Sequence, residues 1–79
     1  MRWNYRIIYH DDHEHPYYGL HEVYYNQEGK IEVWTAEADI VSDVDKEDLI
    51  NSLRLMLKDA EHKDVLFHSK LIKNIGLEK

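Results

Sequence analysis

The sequence predicts an α+β domain in which a three-stranded antiparallel meander packs on one amphipathic helix. Three patterns carry that expectation. Residues Arg2 to His10 alternate with a period of two, as a strand with two different faces does. Two runs rich in aromatic and β-branched residues, Tyr17 to Tyr25 and Lys30 to Ala36, flank the polar stretch Asn26-Gln27-Glu28-Gly29, which is the mark of a β-hairpin. Further on, Leu49, Ile50, Leu53, Met56, Leu57 and Ala60 recur at helical spacing.

Strand one spans about 2–10, with Trp3, Tyr5, Ile7 and Tyr9 on one side and Asn4, Arg6, Ile8 and His10 on the other; the first set reads as the apolar face. His10-Asp11-Asp12-His13-Glu14-His15-Pro16 breaks the alternation. Pro16 disfavours helix in the residue before it, so the segment reads as an exposed loop. Strand two covers about 17–25. Gly29 supplies the positive φ that a short hairpin loop needs near its end. Strand three is expected over about 30–38, with Ile40 and Val41 in the connection after it.

The helix is expected over about 46–61, with Asp45 as its cap and Asp48 three residues on as the reciprocal acid. At about 100° per residue the six apolar positions fall in one stripe about 120° wide, directed at the sheet. Leu53 is expected at its centre, so that Leu53→Asp would be the most damaging single change, whereas Leu55 lies on the far side. A shorter helix over about 69–75 follows from Leu71, Ile72 and Ile75, with Ser69 as a possible cap and Gly76 as a stop. Residues 1–79 read as a single domain, with 64–79 as a tail or short helix that packs on its own chain or on a neighbouring subunit.

Composition narrows the function. A chain of 79 residues builds only a thin core. It has no cysteine, which removes disulfide scaffolds and thiolate metal sites. No apolar run approaches the length of a membrane span, and a cytoplasmic location is the expectation. The formal charge of −6 works against phosphate backbones and anionic membranes as partners. No nucleophile stands in a recognisable elbow or triad, and the glycines Gly19, Gly29 and Gly76 form no phosphate-cradling loop, so no enzymatic activity is expected.

Two groups of residues carry chemistry. His10, His13, His15 and His21, interleaved with Asp11, Asp12 and Glu14, offer imidazole and carboxylate ligands suited to zinc, nickel or copper. The plainer reading is a solvated polar loop. The second group is aromatic: eight of the nine rings lie in the first 34 positions. Tyr17, Tyr24, Tyr25 and Trp34 beside Arg2 and Arg6 could stack bases of single-stranded RNA. Yet residues 1–34 hold three basic and six acidic side chains, which removes the electrostatic footing. The favoured reading is a non-enzymatic protein–protein interaction module, a homodimer or a subunit that binds another protein, with Trp3, Tyr5, Tyr17, Tyr24, Tyr25, Trp34 and Leu55 as contacts. Uncovered rings and free strand edges are surfaces that proteins usually bury in interfaces.

The words Trp3-Asn4-Tyr5-Arg6, Leu20-His21-Glu22-Val23-Tyr24-Tyr25, Gly29-Lys30 and Trp34-Thr35, continued by Glu47-Asp48-Leu49 and Met56-Leu57, resemble a family of small uncharacterised bacterial proteins. The resemblance runs over most of residues 3–66 and implies a bacterial cytoplasmic home, with no activity and no catalytic residue attached to it. In outline the three strands followed by a helix also resemble the N-terminal domain of HicB-type antitoxins, which act by contact with a partner protein. That is a likeness of layout, and layout does not imply function.

Overall fold

The computed structural model describes residues 2–38 and 45–74. In chain order they form β1 (Arg2–His10), β2 (Tyr17–Tyr25), β3 (Ile31–Trp34), α1 (Lys46–His62), β4 (Leu66–Phe67) and α2 (His68–Asn74). The fold is α+β as the pattern implies, and β1, β2 and β3 make the expected antiparallel meander. A fourth strand extends it: β4 pairs in parallel with β1, Ile8 opposite Leu66 and Tyr9 opposite Phe67, so that the sheet runs β3-β2-β1-β4. Two residues of strand carry too short a pattern to stand out in the sequence.

The hairpin loop is held by Asn26. Its side-chain oxygen accepts the amides of Glu28 (2.9 Å) and Lys30 (3.0 Å), and its own amide donates to the Lys30 carbonyl at 2.8 Å. Such self-bonded loops are typical of Asn. Gly29 takes φ +80, the left-handed region that an L side chain rarely adopts. A register irregularity at Tyr24/Tyr25 follows, and β3 ends at Trp34, short of the expected 38. Ile40, Val41, Ile75 and Gly76 lie outside the described residues.

The face of β1 that seats the core is the one that reads as polar. Ile8 and Val23 are fully buried and cluster with Leu71 of α2, while Tyr25, Ile31, Trp34 and Leu66 pack around them. The polar members of that face are absorbed by specific bonds. Arg6 donates through Nε (3.2 Å) and Nη2 (2.8 Å) to the Asp64 carbonyl and through Nη1 (3.0 Å) to the Tyr25 hydroxyl. The Tyr25 hydroxyl in turn donates to Asn4 at 2.9 Å. Buried polar groups are tolerated when paired in this way. The short helix α2, and not the long one, therefore contributes the apolar side chain that closes the central cluster.

Helix α1 lies against β1, but it is turned away from the orientation its leucines suggest. Its buried residues are Met56 and Asp59, and the Asp59 carboxylate accepts the backbone N–H of Tyr5 at 3.0 Å. On a helical projection the apolar stripe is centred roughly 90° from the arc that Met56 and Asp59 define. Leu53 and Leu57 are consequently 46% and 59% exposed, which corrects the expectation that Leu53 sits at the centre of the core. Leu55 is exposed as well. Asp45 occupies the N-cap position with an extended backbone, and its side chain makes no capping bond; its carbonyl accepts the Leu49 amide at 3.0 Å.

Candidate functional site

Three places in the molecule carry the residues singled out above. The first is a knot of imidazoles where the ends of β1 and β2 meet the start of α2. His10 closes β1 and is buried; His21 lies in β2 and is fully buried. Both point to the core face, because His10 pairs with Tyr17 and Arg6 with His21 in the antiparallel register. Their Nε2 atoms stand 2.9 Å apart. Hydrogen positions follow from the partners. His21 Nδ1 faces the Thr35 carbonyl at 2.9 Å, and a carbonyl only accepts, so that nitrogen carries the hydrogen. With His21 neutral, its Nε2 is then the acceptor and His10 Nε2–H the donor.

Gly19 makes room for this arrangement. A Cβ added there would sit 2.9 Å from His21 Nε2, closer than real side chains approach, and a tight 3.2 Å from Ala38 Cβ, so glycine lets the buried imidazole lie across the strand undisturbed. Burial holds the His10 pKa below its ordinary value, and the neighbouring His21 and His68 push it the same way, against a smaller opposing pull from Asp12.

His68 opens α2 and is the third imidazole of the group. Its ring centroid lies 4.9 Å from that of His10, the same separation as between His10 and His21. The Tyr17 ring stacks on His10 at 4.4 Å and 8°, and Trp34 meets His68 edge-on at 5.9 Å. His68 Nδ1 donates to both Asp12 oxygens at 2.9 Å. Beside it the Ser69 amide and hydroxyl donate to Asp11 at 3.1 and 2.6 Å, and these bonds hold the Asp11 carboxyl below the usual carboxylate range. The segment that reads as a solvated loop is thus the clasp that fastens α2 to the sheet.

Of the four histidines of the loop and β2, the structure brings His10 and His21 together and leaves His13 and His15 outside, both exposed. His13 Nδ1 accepts the His15 amide at 3.0 Å, and the His13 ring stands edge-on to Tyr17. His68, more than forty positions away in sequence, has no nearby motif to announce it. Among the described residues, no three His, Cys, Asp or Glu side chains already stand in position to hold one ion together.

The other two places are the opposite face of the sheet and, separately, the outer side of α1. Trp3 contacts the rings of Tyr5 (5.1 Å) and Tyr24 (6.3 Å). At the other end Tyr9 stacks on Tyr18 at 4.5 Å and meets Phe67 edge-on at 5.8 Å. Tyr18 is 67% exposed, and Trp3, Val33 and Phe67 are exposed as well. Of the expected contact residues, Trp3, Tyr17 and Leu55 are at the surface, Tyr24 is half-buried, and Tyr5 is buried. Tyr25 and Trp34 are half-buried on the core face. Arg6 also lies on the core face, tied to Asp64 and Tyr25.

No described helix is long and apolar enough to cross a membrane. Comparison with protein-family models, with curated proteins and with solved structures finds no match for this chain.

Proposed function

We propose that this chain is a non-enzymatic protein-association module, bacterial and cytoplasmic, that pairs with a second copy of itself through α1 and the ring-bearing sheet face. The single observation behind the reading is the angular offset of α1. An amphipathic helix normally turns its apolar stripe to its own core, yet Leu53 and Leu57 are left at the surface, one turn apart on the same side. Exposed apolar groups together with exposed rings, here Trp3, Tyr18 and Phe67, mark interaction sites.

Charge favours a second copy as the occupant. Arg54 and Glu61 are exposed and both flank Leu57 on its outer side, one toward each end of the helix. Two copies of α1 laid antiparallel about Leu57 bring Arg54 of each toward Glu61 of the other, as an isologous two-fold contact requires.

Light scattering across a concentration series tests the proposal. The expected result is a dimer that Leu57→Asp converts to a folded monomer, as judged by circular dichroism. A wild-type chain that stays monomeric at high concentration, or a Leu57→Asp chain that remains dimeric, overturns it.

A further inference from the structure

We infer that His10, His21 and His68 form a binding site for a borderline divalent transition ion of the zinc, nickel and copper class. This site is independent of the association surface, which lies on α1 and the opposite sheet face.

The geometry of the two buried imidazoles is the main argument. Two histidine nitrogens on one tetrahedral zinc, each about 2.05 Å from it, stand about 3.3 Å apart. His10 and His21 present Nε2 to Nε2 at 2.9 Å, so an opening of a few tenths of an ångström admits an ion between them. Ring centroids of histidines sharing such an ion are about 5 Å apart by the same arithmetic, and His10 stands at 4.9 Å from both His21 and His68.

The outer partners suit the same role. Metal-bound histidines usually donate the other ring N–H to a carbonyl or a carboxylate, which fixes the ring and leaves the ligating lone pair free. His21 Nδ1–H donates to the Thr35 carbonyl, and His68 Nδ1–H to the Asp12 carboxylate. Both rings therefore carry their lone pair on Nε2. His10 changes tautomer: the hydrogen that it now donates to His21 moves to its Nδ1, the ion takes the vacated position, and the pair releases no net proton. His68 is only half-buried and begins a short helix. A turn of its ring, followed by the exposed Asp12 carboxylate on its Nδ1, brings Nε2 in as the third nitrogen, with solvent completing the coordination. Without that turn the three groups do not converge, which is the present arrangement.

Isothermal titration of the metal-free full chain with zinc at neutral pH, together with the absorption spectrum of the cobalt-substituted protein, tests the inference. One ion per chain at micromolar affinity or tighter is expected, with a tetrahedral cobalt spectrum. His21→Gln abolishes binding and His68→Gln weakens it at least tenfold, while the double change His13→Gln with His15→Gln leaves it unaltered. Should His21→Gln fail to fold, His68→Gln decides, since that side chain is not part of the buried pair. Absence of saturable binding, wild-type affinity in His68→Gln, or loss of binding in the His13/His15 double variant each overturns the inference.

Discussion

The buried Asp59 carboxylate accepts the backbone N–H of Tyr5 across 54 positions of chain, at 3.0 Å. This bond occupies the side of β1 that β2 does not, where an edge amide would otherwise invite another strand. It also sets the roll of α1: with Asp59 turned inward, Leu53 and Leu57 turn outward.

Removing that carboxylate is costly. Asp59→Ala withdraws a charged, buried acceptor from the Tyr5 amide, and a loss of about 1.5–3 kcal/mol is expected for a hydrogen bond of this type. Urea denaturation at a protein concentration that keeps the association state constant measures it.

Apolar substitutions rank in an order opposite to the one suggested by helical periodicity. Leu71→Ala takes a side chain from the central cluster and should cost about 2–5 kcal/mol. Leu53→Ala, at a position 46% exposed, should cost the isolated chain less than about 1 kcal/mol. Thermal melts of a monomeric background carrying each change compare the two directly.

Gly19→Ala should dislodge the His21 ring, because the new methyl would lie 2.9 Å from its Nε2. The readout is the nitrogen chemical shifts of the imidazoles: the His10–His21 hydrogen bond is expected to disappear while the β-sheet amide pattern persists. Shifts identical to wild type would show that the glycine serves no purpose at this position.

Stability of the metal-free protein should fall as the medium is acidified below about pH 6.5. His10 has a folded pKa below its unfolded value, so between the two the unfolded chain binds more protons, and stability rises with pH through that window and is complete above it. Asp11 adds a second loss at lower pH, since its Ser69 hydrogen bonds hold its folded pKa below the ordinary carboxylate value. Its contribution is present above that value and disappears as the carboxyl protonates. Chemical denaturation at pH 7.5, 6.0 and 5.0 gives the slope, and His10→Gln should flatten the upper part of it.

Much of this fold is legible in residue patterns, because β1, β2 and α1 are long enough for their periods to show, and because Asn26 and Gly29 carry recognisable turn chemistry. The choice of core face was not. Asn4, Arg6, Ile8 and His10 look like a solvated side until Tyr25, Asp64 and His21 are seen to satisfy them. The roll of α1 depends on one long-range bond from Asp59, which no local period encodes. At the histidine site, His10 and His21 were visible as ligand types. Their meeting depends on strand register and on the space at Gly19, and their third neighbour, His68, arrives from the far end of the chain through β4 and α2.

The parallel pairing of Ile8 with Leu66 carries a consequence for synthesis. A contact joining segments so far apart is entropically slow to close, and the central cluster lacks a member until Leu71 is available. A ribosome making this protein must therefore release most of the described chain before that cluster can lock, and until then the nascent meander travels with its greasiest rows bare. Such chains are expected to lean on holdase-type chaperones during translation until β4 and α2 have emerged.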